Sequence, residues 1–254
     1  MSFGFSYGGK HSSEFGILIT NIERPVLPNI QSKTVSLPTK HGIHYVGSQF
    51  DFLEINFEIL LSEHSMKRLQ ETRRNIAAWL NPAKGALQLI IDDETDKYYV
   101  AVLSGESSLE QILTHGRGEI SFLIPDPYAY AVLDDVYSYT QKGEYTFIRK
   151  GTAESYPFIS VKGNSSEQGT LNLHLNSSEI KYKGELLQTQ ELIIDYGLKT
   201  AYIKENGVTI KSAINQLVNL DFPFSIPGNN SFKITTTENF KLNGLSIYCK
   251  SRWI

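Results

Sequence analysis

What constrains this chain most is the period of its apolar residues, which is two over most of its length and helical only once. Over residues 52–60 the alternation is strict: Leu53, Ile55, Phe57 and Ile59 fall on one face, Glu54, Asn56 and Glu58 on the other. Such a stretch is a half-buried strand. The period then changes. Met66, Leu69, Ile76, Ala77 and Leu80 form an apolar stripe at helical spacing, with Lys67, Arg68, Glu71 and Arg74 facing water. Ser62 is placed to cap this helix, Leu61 and Met66 to staple its start, and Asn81-Pro82 to end it. No other stretch reads convincingly as helix, and 19 Gly and 9 Pro spread along 254 residues break any heptad run.

Strands are expected around that helix at 17–22, 86–91, 98–103 and 119–124. The second half has a different rhythm. Short strands recur at 144–149, 157–161, 170–175, 179–183, 191–195, 200–204, 232–236 and 242–248. Gly163-Asn164-Ser165-Ser166, Asn206-Gly207 and Pro227-Gly228-Asn229-Asn230 lie between them as turn signals. That is the pattern of a sandwich or jelly roll. The change falls between Ala131 and Gly143, which divides the chain into domains of 1–135 and 136–254, with the helix at about 63–81.

Between the strands at 17–22 and 52–60, residues 35–37 and 43–46 read as two short strands joined through Pro38-Thr39-Lys40-His41-Gly42. Val35, Leu37, Ile43, Tyr45 and Val46 are a small apolar set on a segment too short for a core of its own. A hairpin at about 31–50 that projects onto a neighbouring subunit and an ordinary surface hairpin both fit. At the other end, Trp253 and Ile254 are large apolar residues where chains are usually polar and frayed. Either they return to the first domain and tie the two together, or Trp253 caps the second sandwich.

The chemistry-bearing motifs are weak. The single cysteine, Cys249, excludes an intrachain disulfide and fits a reducing compartment. The first residues lack the pattern of a secretory signal, and no apolar run is long enough to cross a bilayer. Residues 1–134 hold eleven Lys/Arg against sixteen Asp/Glu, a net of −5; residues 135–254 hold thirteen against eleven, a net of +2. Neither half has the basic surplus of a nucleic-acid binder. Gly4-Phe5-Ser6-Tyr7-Gly8-Gly9-Lys10-His11 approaches a phosphate loop, but His11 stands where a hydroxyl is needed and no strand precedes it. His41 and His44 are loosely spaced for a metal, and Asp92 to Asp96 lacks the Gly and bidentate Glu of a Ca²⁺ loop. Tyr182, Tyr196, Tyr202 and Trp253 could form a sugar-stacking platform, although tyrosines of a sandwich more often pack inside it. Neither a nucleophile elbow nor a marked carboxylate pair is present, so an enzyme is not expected and no cofactor or metal is called for.

An ordered set of short motifs resembles the distal tail proteins of siphophages infecting Gram-positive bacteria. In the first half these are Phe15-Gly16, Arg24-Pro25-Val26-Leu27-Pro28, Thr39-Lys40-His41-Gly42, Trp79-Leu80, Tyr98-Tyr99-Val100-Ala101 and Asp126-Pro127-Tyr128-Ala129-Tyr130. In the second they are Tyr156-Pro157-Phe158-Ile159, Leu192-Ile193-Ile194-Asp195 and Ile226-Pro227-Gly228-Asn229-Asn230. The resemblance is greatest to the protein of a Bacillus siphophage and spans nearly the whole chain.

The resemblance implies a mainly β protein: an N-terminal β-sandwich with one α-helix and a projecting hairpin, then a galectin-like β-sandwich. It implies a homohexameric ring at the tail tip, joining the tail tube protein to tip or fibre proteins, with DNA passing through the channel without specific binding. It implies virions assembled in the host cytoplasm and no membrane insertion. The alternative is a carbohydrate-binding module that anchors the tail tip to the host cell wall.

Overall fold

The computed structural model describes residues 3–39, 41–61, 66–105 and 117–254, leaving aside the side chains of 66–70 and 73. It divides the chain into two compact units, residues 1–132 with residue 254, and residues 133–253. Among the described residues the chain forms the expected mainly β architecture with one α-helix.

The first unit contains strands β1 (Phe5–Tyr7), β2 (Lys10–His11), β3 (Ile17–Glu23), β4 (Ile30–Val35), β5 (His44–Phe50), β6 (Leu53–Leu61), β7 (Leu87–Ile91), β8 (Lys97–Ser104), β9 (Arg117–Ile124) and β10 (Ala129–Ala131), with helix α1 (Met66–Trp79) after β6. Its main sheet runs β2-β1-β7-β8-β9-β6-β3, antiparallel at each of these pairings. Strand β8 turns the sheet: Tyr99 and Ala101 pair with β7, then Val102 to Ser104 pair with β9. The sheet thus curls back until Ile19 N in β3 donates to Phe3 O, just before β1, at 3.3 Å.

Aromatic residues from distant segments fill that curl. The Phe5 ring lies 5.0 Å from Phe57, 5.6 Å from Phe122 and 5.5 Å from Trp79, centroid to centroid. Trp79 stacks on Phe15 at 4.3 Å, and its Nε1 donates to Tyr7 O at 2.8 Å. Pairing the indole N–H lets a ring this large be buried without stranding a donor. Strand β6 follows its predicted alternation, with Leu53, Ile55, Phe57 and Ile59 all buried. On α1, Ile76 is buried as expected, while Ala77 is exposed and Trp79 takes the inward place. An alanine adds little on the buried side, and an indole adds a great deal. The cap at Ser62 and the side-chain contacts of Met66 and Leu69 lie outside the described residues.

The second unit is a two-sheet sandwich. Strands β11 (Asp135–Tyr139), β13 (Phe158–Ser165), β16 (Gln190–Asp195), β17 (Thr200–Glu205), β18 (Val208–Ser212) and β20 (Phe240–Cys249) form a sheet of order β11-β20-β13-β16-β17-β18. Strands β12 (Gly143–Arg149), β14 (Thr170–Leu175), β15 (Ser178–Lys183) and β19 (Gly228–Thr236) form the other, in order β12-β19-β14-β15; β21 is Arg252–Trp253. Leu171, Leu173, Ile180, Ile159, Val161, Leu192, Ile194 and Ile203 meet between the sheets, each fully buried.

Two expected turns are strand instead. Residues 163–165 continue β13 past a bulge at Lys162/Gly163, because β20 passes so close that a Cβ on Gly163 would sit 2.6 Å from Lys241 O. Residues 228–230 already pair with β12. Asn230 is buried and organises the bend before them: its Oδ1 accepts from Ile226 N at 2.8 Å, and its Nδ2 donates to Ile226 O and Gly228 O.

Candidate functional site

The strongest candidate is the ribbon formed by β4 and β5. Among the described residues they pair only with each other, as a separate two-stranded sheet. Its base is fastened by Asn29 N to Phe52 O at 3.1 Å, Asp51 N to Asn29 O at 2.7 Å, and Gln31 Nε2 to Asp51 Oδ2 at 2.7 Å. Ile30 pairs with Phe50, Ser32 with Ser48 and Thr34 with Tyr45, which puts Ile30, Phe50 and Tyr45 on one face. Every residue of β4 is exposed, and so is every residue of β5 except Gly47. The expected strands at 35–37 and 43–46 are displaced as well as too short: β4 ends at Val35, so 36–37 lie outside it, and β5 begins at His44, because polar residues interrupt the apolar pattern that marks a strand.

All five residues singled out from the sequence lie on this exposed segment: Val35 at 48%, Leu37 at 44%, Ile43 at 67%, Tyr45 at 64% and Val46 at 66% exposure. Just before the ribbon, Val26 is exposed and Leu27 half-covered. Leu27 and Phe52 line a 520 Å³ cleft in which the buried Asn56 Oδ1 has no hydrogen-bond partner among the described residues. Charge is equally uneven. Residues 30–50 hold two lysines and no carboxylate, so the rest of 1–134 holds nine Lys/Arg against sixteen Asp/Glu.

The other motifs take structural roles. Gly8 and Gly9 (φ 57° and 80°) form the two-residue turn between β1 and β2, a hairpin and not a phosphate loop. Asp92 is held by His11 Nε2 at 3.2 Å and by Gly4 N at 2.8 Å. Glu94 bonds Arg24 at 2.8 Å and Lys97 at 2.9 Å, while Asp93 lies 3.3 Å from Arg24. The acidic turn is therefore an ion-pair junction: the hydrogen bond from Lys97, aided by Arg24 against burial, holds the Glu94 carboxyl below its usual range. His41 and His44 are exposed, and among the described residues no three His, Cys, Asp or Glu are grouped to hold a metal.

In the second unit the proposed tyrosine platform fails. Tyr182 and Tyr196 are fully buried, and burial pushes the Tyr182 hydroxyl up to about 12. Tyr202 is half-buried, with Lys204 Nζ 5.6 Å above its ring. Alternation along a strand cannot tell a tyrosine facing the core from one facing water. Trp253 is half-buried and Ile254 is 45% exposed. The preceding Arg252 is held within the second unit, its carbonyl accepting from Thr152 N at 3.0 Å and Ala153 N at 3.2 Å. Cys249 is fully buried, which raises its thiol to about 12. Pattern reading also missed Arg149, 1% exposed, whose guanidinium donates to Lys150 O at 2.9 Å and to Ala153 O.

Comparison with known proteins bears on the same parts. Residues 10–124 match the family model of the phage tail protein RIFT-related domain. No curated protein matches the chain by sequence. Among solved structures, the Dit protein of phage SPP1, described as a paradigm of hub adsorption apparatus in phages infecting Gram-positive hosts, is similar at a TM-score of 0.79 and 14% identity, with 100% of both chains covered. A chain of the phage P2 baseplate in its activated conformation matches at a TM-score of 0.53 and 12% identity, with 99% of this chain and 98% of that one covered. Most of the first unit is thus similar to the phage tail protein RIFT-related domain, and the chain as a whole has the fold of the phage SPP1 Dit protein.

Proposed function

We propose that this protein is a structural hub subunit of a phage tail tip, assembling through its β4–β5 ribbon into a closed ring. The observation that carries the reading is the ribbon's exposure. Two strands alone are marginally stable in water, and this pair presents Ile43, Tyr45 and Val46 to solvent. Edge strands that must avoid pairing usually carry charges or proline; the six residues of β4 carry only Lys33. A neighbouring copy would cover these side chains, each worth about 1 kcal/mol or more once buried.

The contact is heterologous, because the ribbon and the rest of the first unit differ in shape and in charge. A basic ribbon against an acidic body favours head-to-tail association, and head-to-tail contacts form a ring where the rotation between copies closes. The fold of the phage SPP1 Dit protein, and its description as hub adsorption apparatus, support a hub role, and we propose six copies per ring. In this reading the ring sits at the virion tail tip and joins the tail tube to tip or fibre proteins. DNA crosses its channel unbound, and an acidic first unit suits that passage because carboxylates repel phosphates. The role is structural and not catalytic. Electron microscopy of the purified full chain tests it: six-fold rings are expected, and monomers alone at every concentration would contradict it.

A further inference from the structure

One cleft of the second unit holds chemistry that ring assembly leaves unused. It measures 560 Å³, within the range of about 300–1,000 Å³ typical of ligand pockets. Its floor is a row across three strands: Tyr248 of β20 pairs with Phe158 of β13, which pairs with Asp195 of β16. The next residues inward, Ile247, Ile159 and Ile194, are fully buried in the sandwich core. Alternation therefore stands Tyr248, Phe158 and Asp195 on the outer face of the sheet. The Phe158 and Tyr248 rings are 5.6 Å apart and inclined by 71°, and Tyr156, 41% exposed, adds a third ring two residues before Phe158.

The polar groups around these rings keep open hydrogen-bonding positions, although Asp134 and Lys250 attract one another. Asp195 Oδ1 accepts from Leu198 N at 2.9 Å, which leaves Oδ2 open. Asp134 and Lys250 also line the cleft, and among the described residues neither side chain forms a hydrogen bond. Carboxylates only accept and an ammonium only donates, so together they match a ligand bearing both donors and acceptors. A purely apolar ligand would strand these charges on burial, and two carboxylates oppose a phosphate. A hydroxyl-rich ring with one C–H face satisfies both halves of the lining.

We propose that this cleft binds a neutral saccharide, its C–H face on Tyr156 and Tyr248 and its hydroxyls on Asp195, Asp134 and Lys250. The site is distinct from the buried Tyr182 and Tyr196, and the proposal does not rest on ring assembly. The test is calorimetric titration of the full chain with trisaccharides of glucose, of galactose and of N-acetylglucosamine. At least one is expected to bind, and Tyr156→Ala and Asp195→Asn are each expected to weaken it by about tenfold or more. Both positions lie at the surface, so the variants should keep the parent's melting temperature, and Tyr202→Ala should leave binding unchanged. The proposal is overturned if none of the three binds at about 10 mM, if the two variants bind as the parent does, or if the cleft instead mediates dimerisation that they abolish.

Discussion

The β4–β5 ribbon and the β14–β15 hairpin of the second unit are both antiparallel pairs with several apolar residues, yet they end in opposite environments. In β14–β15, Leu171, Leu173, Leu175 and Ile180 are buried between two sheets. In the ribbon, Val35, Tyr45 and Val46 are about half to two-thirds exposed. The apolar content is similar; what differs is whether the chain supplies a second layer. An apolar ribbon without that layer stays open to solvent, and the proposed contact with a neighbouring copy rests on that contrast.

The contrast breaks most visibly if the two hairpins are truncated in parallel. Leu173→Ala should destabilise the second unit by about 2–5 kcal/mol in urea denaturation, through lost burial and a residual cavity. Val46→Ala should leave the free monomer within about 0.5 kcal/mol of the parent. Equal losses at both positions would show that the ribbon packs within its own chain.

Next comes the buried arginine, which the ribbon has no counterpart for. Arg149→Met removes the donors to Lys150 O and Ala153 O, and should cost about 1–3 kcal/mol, with no effect on assembly. Denaturation followed beside sedimentation separates the two readouts.

Cys249 sharpens the contrast through pH. Its folded thiol lies near 12, above that of the unfolded chain, so the protonated form favours folding. That stability is present below about pH 8.5 and is lost as pH rises towards the folded value, by about 1–2 kcal/mol at pH 10. Cys249→Ala should flatten this alkaline slope, and the native thiol should resist disulfide reagents at pH 8. The smallest effect is expected at Glu94. Its depressed carboxyl contributes stability above about pH 4.5 that is lost as pH falls through the folded value, worth under about 1 kcal/mol because the pairs are partly exposed. Glu94→Gln, followed by acid titration, checks that sign.

The same contrast explains what the sequence made legible. Strand β6 could be read because one face is buried and the other wet, which writes the alternation directly. The ribbon's apolar side chains could be named, but not the bounds of its two strands, because Gln31, Ser32, Ser48 and Gln49 extend strands that no core patterns. The core of Phe5, Phe57, Phe122 and Trp79 was not legible as a unit, since it joins four segments by long-range closure. Tyr182 and Tyr196 misled because a phenol suits both a core and a binding face. The cleft at Tyr248, Phe158 and Asp195 depends on register between β20, β13 and β16, which no single segment encodes.

The most direct test of the ribbon's role is sedimentation of the full chain beside a variant lacking residues 35–46. The parent should form rings, and the variant should remain a monomer with an unchanged melting temperature. Rings of unchanged affinity in the variant would contradict the claim that the ribbon joins one subunit to the next.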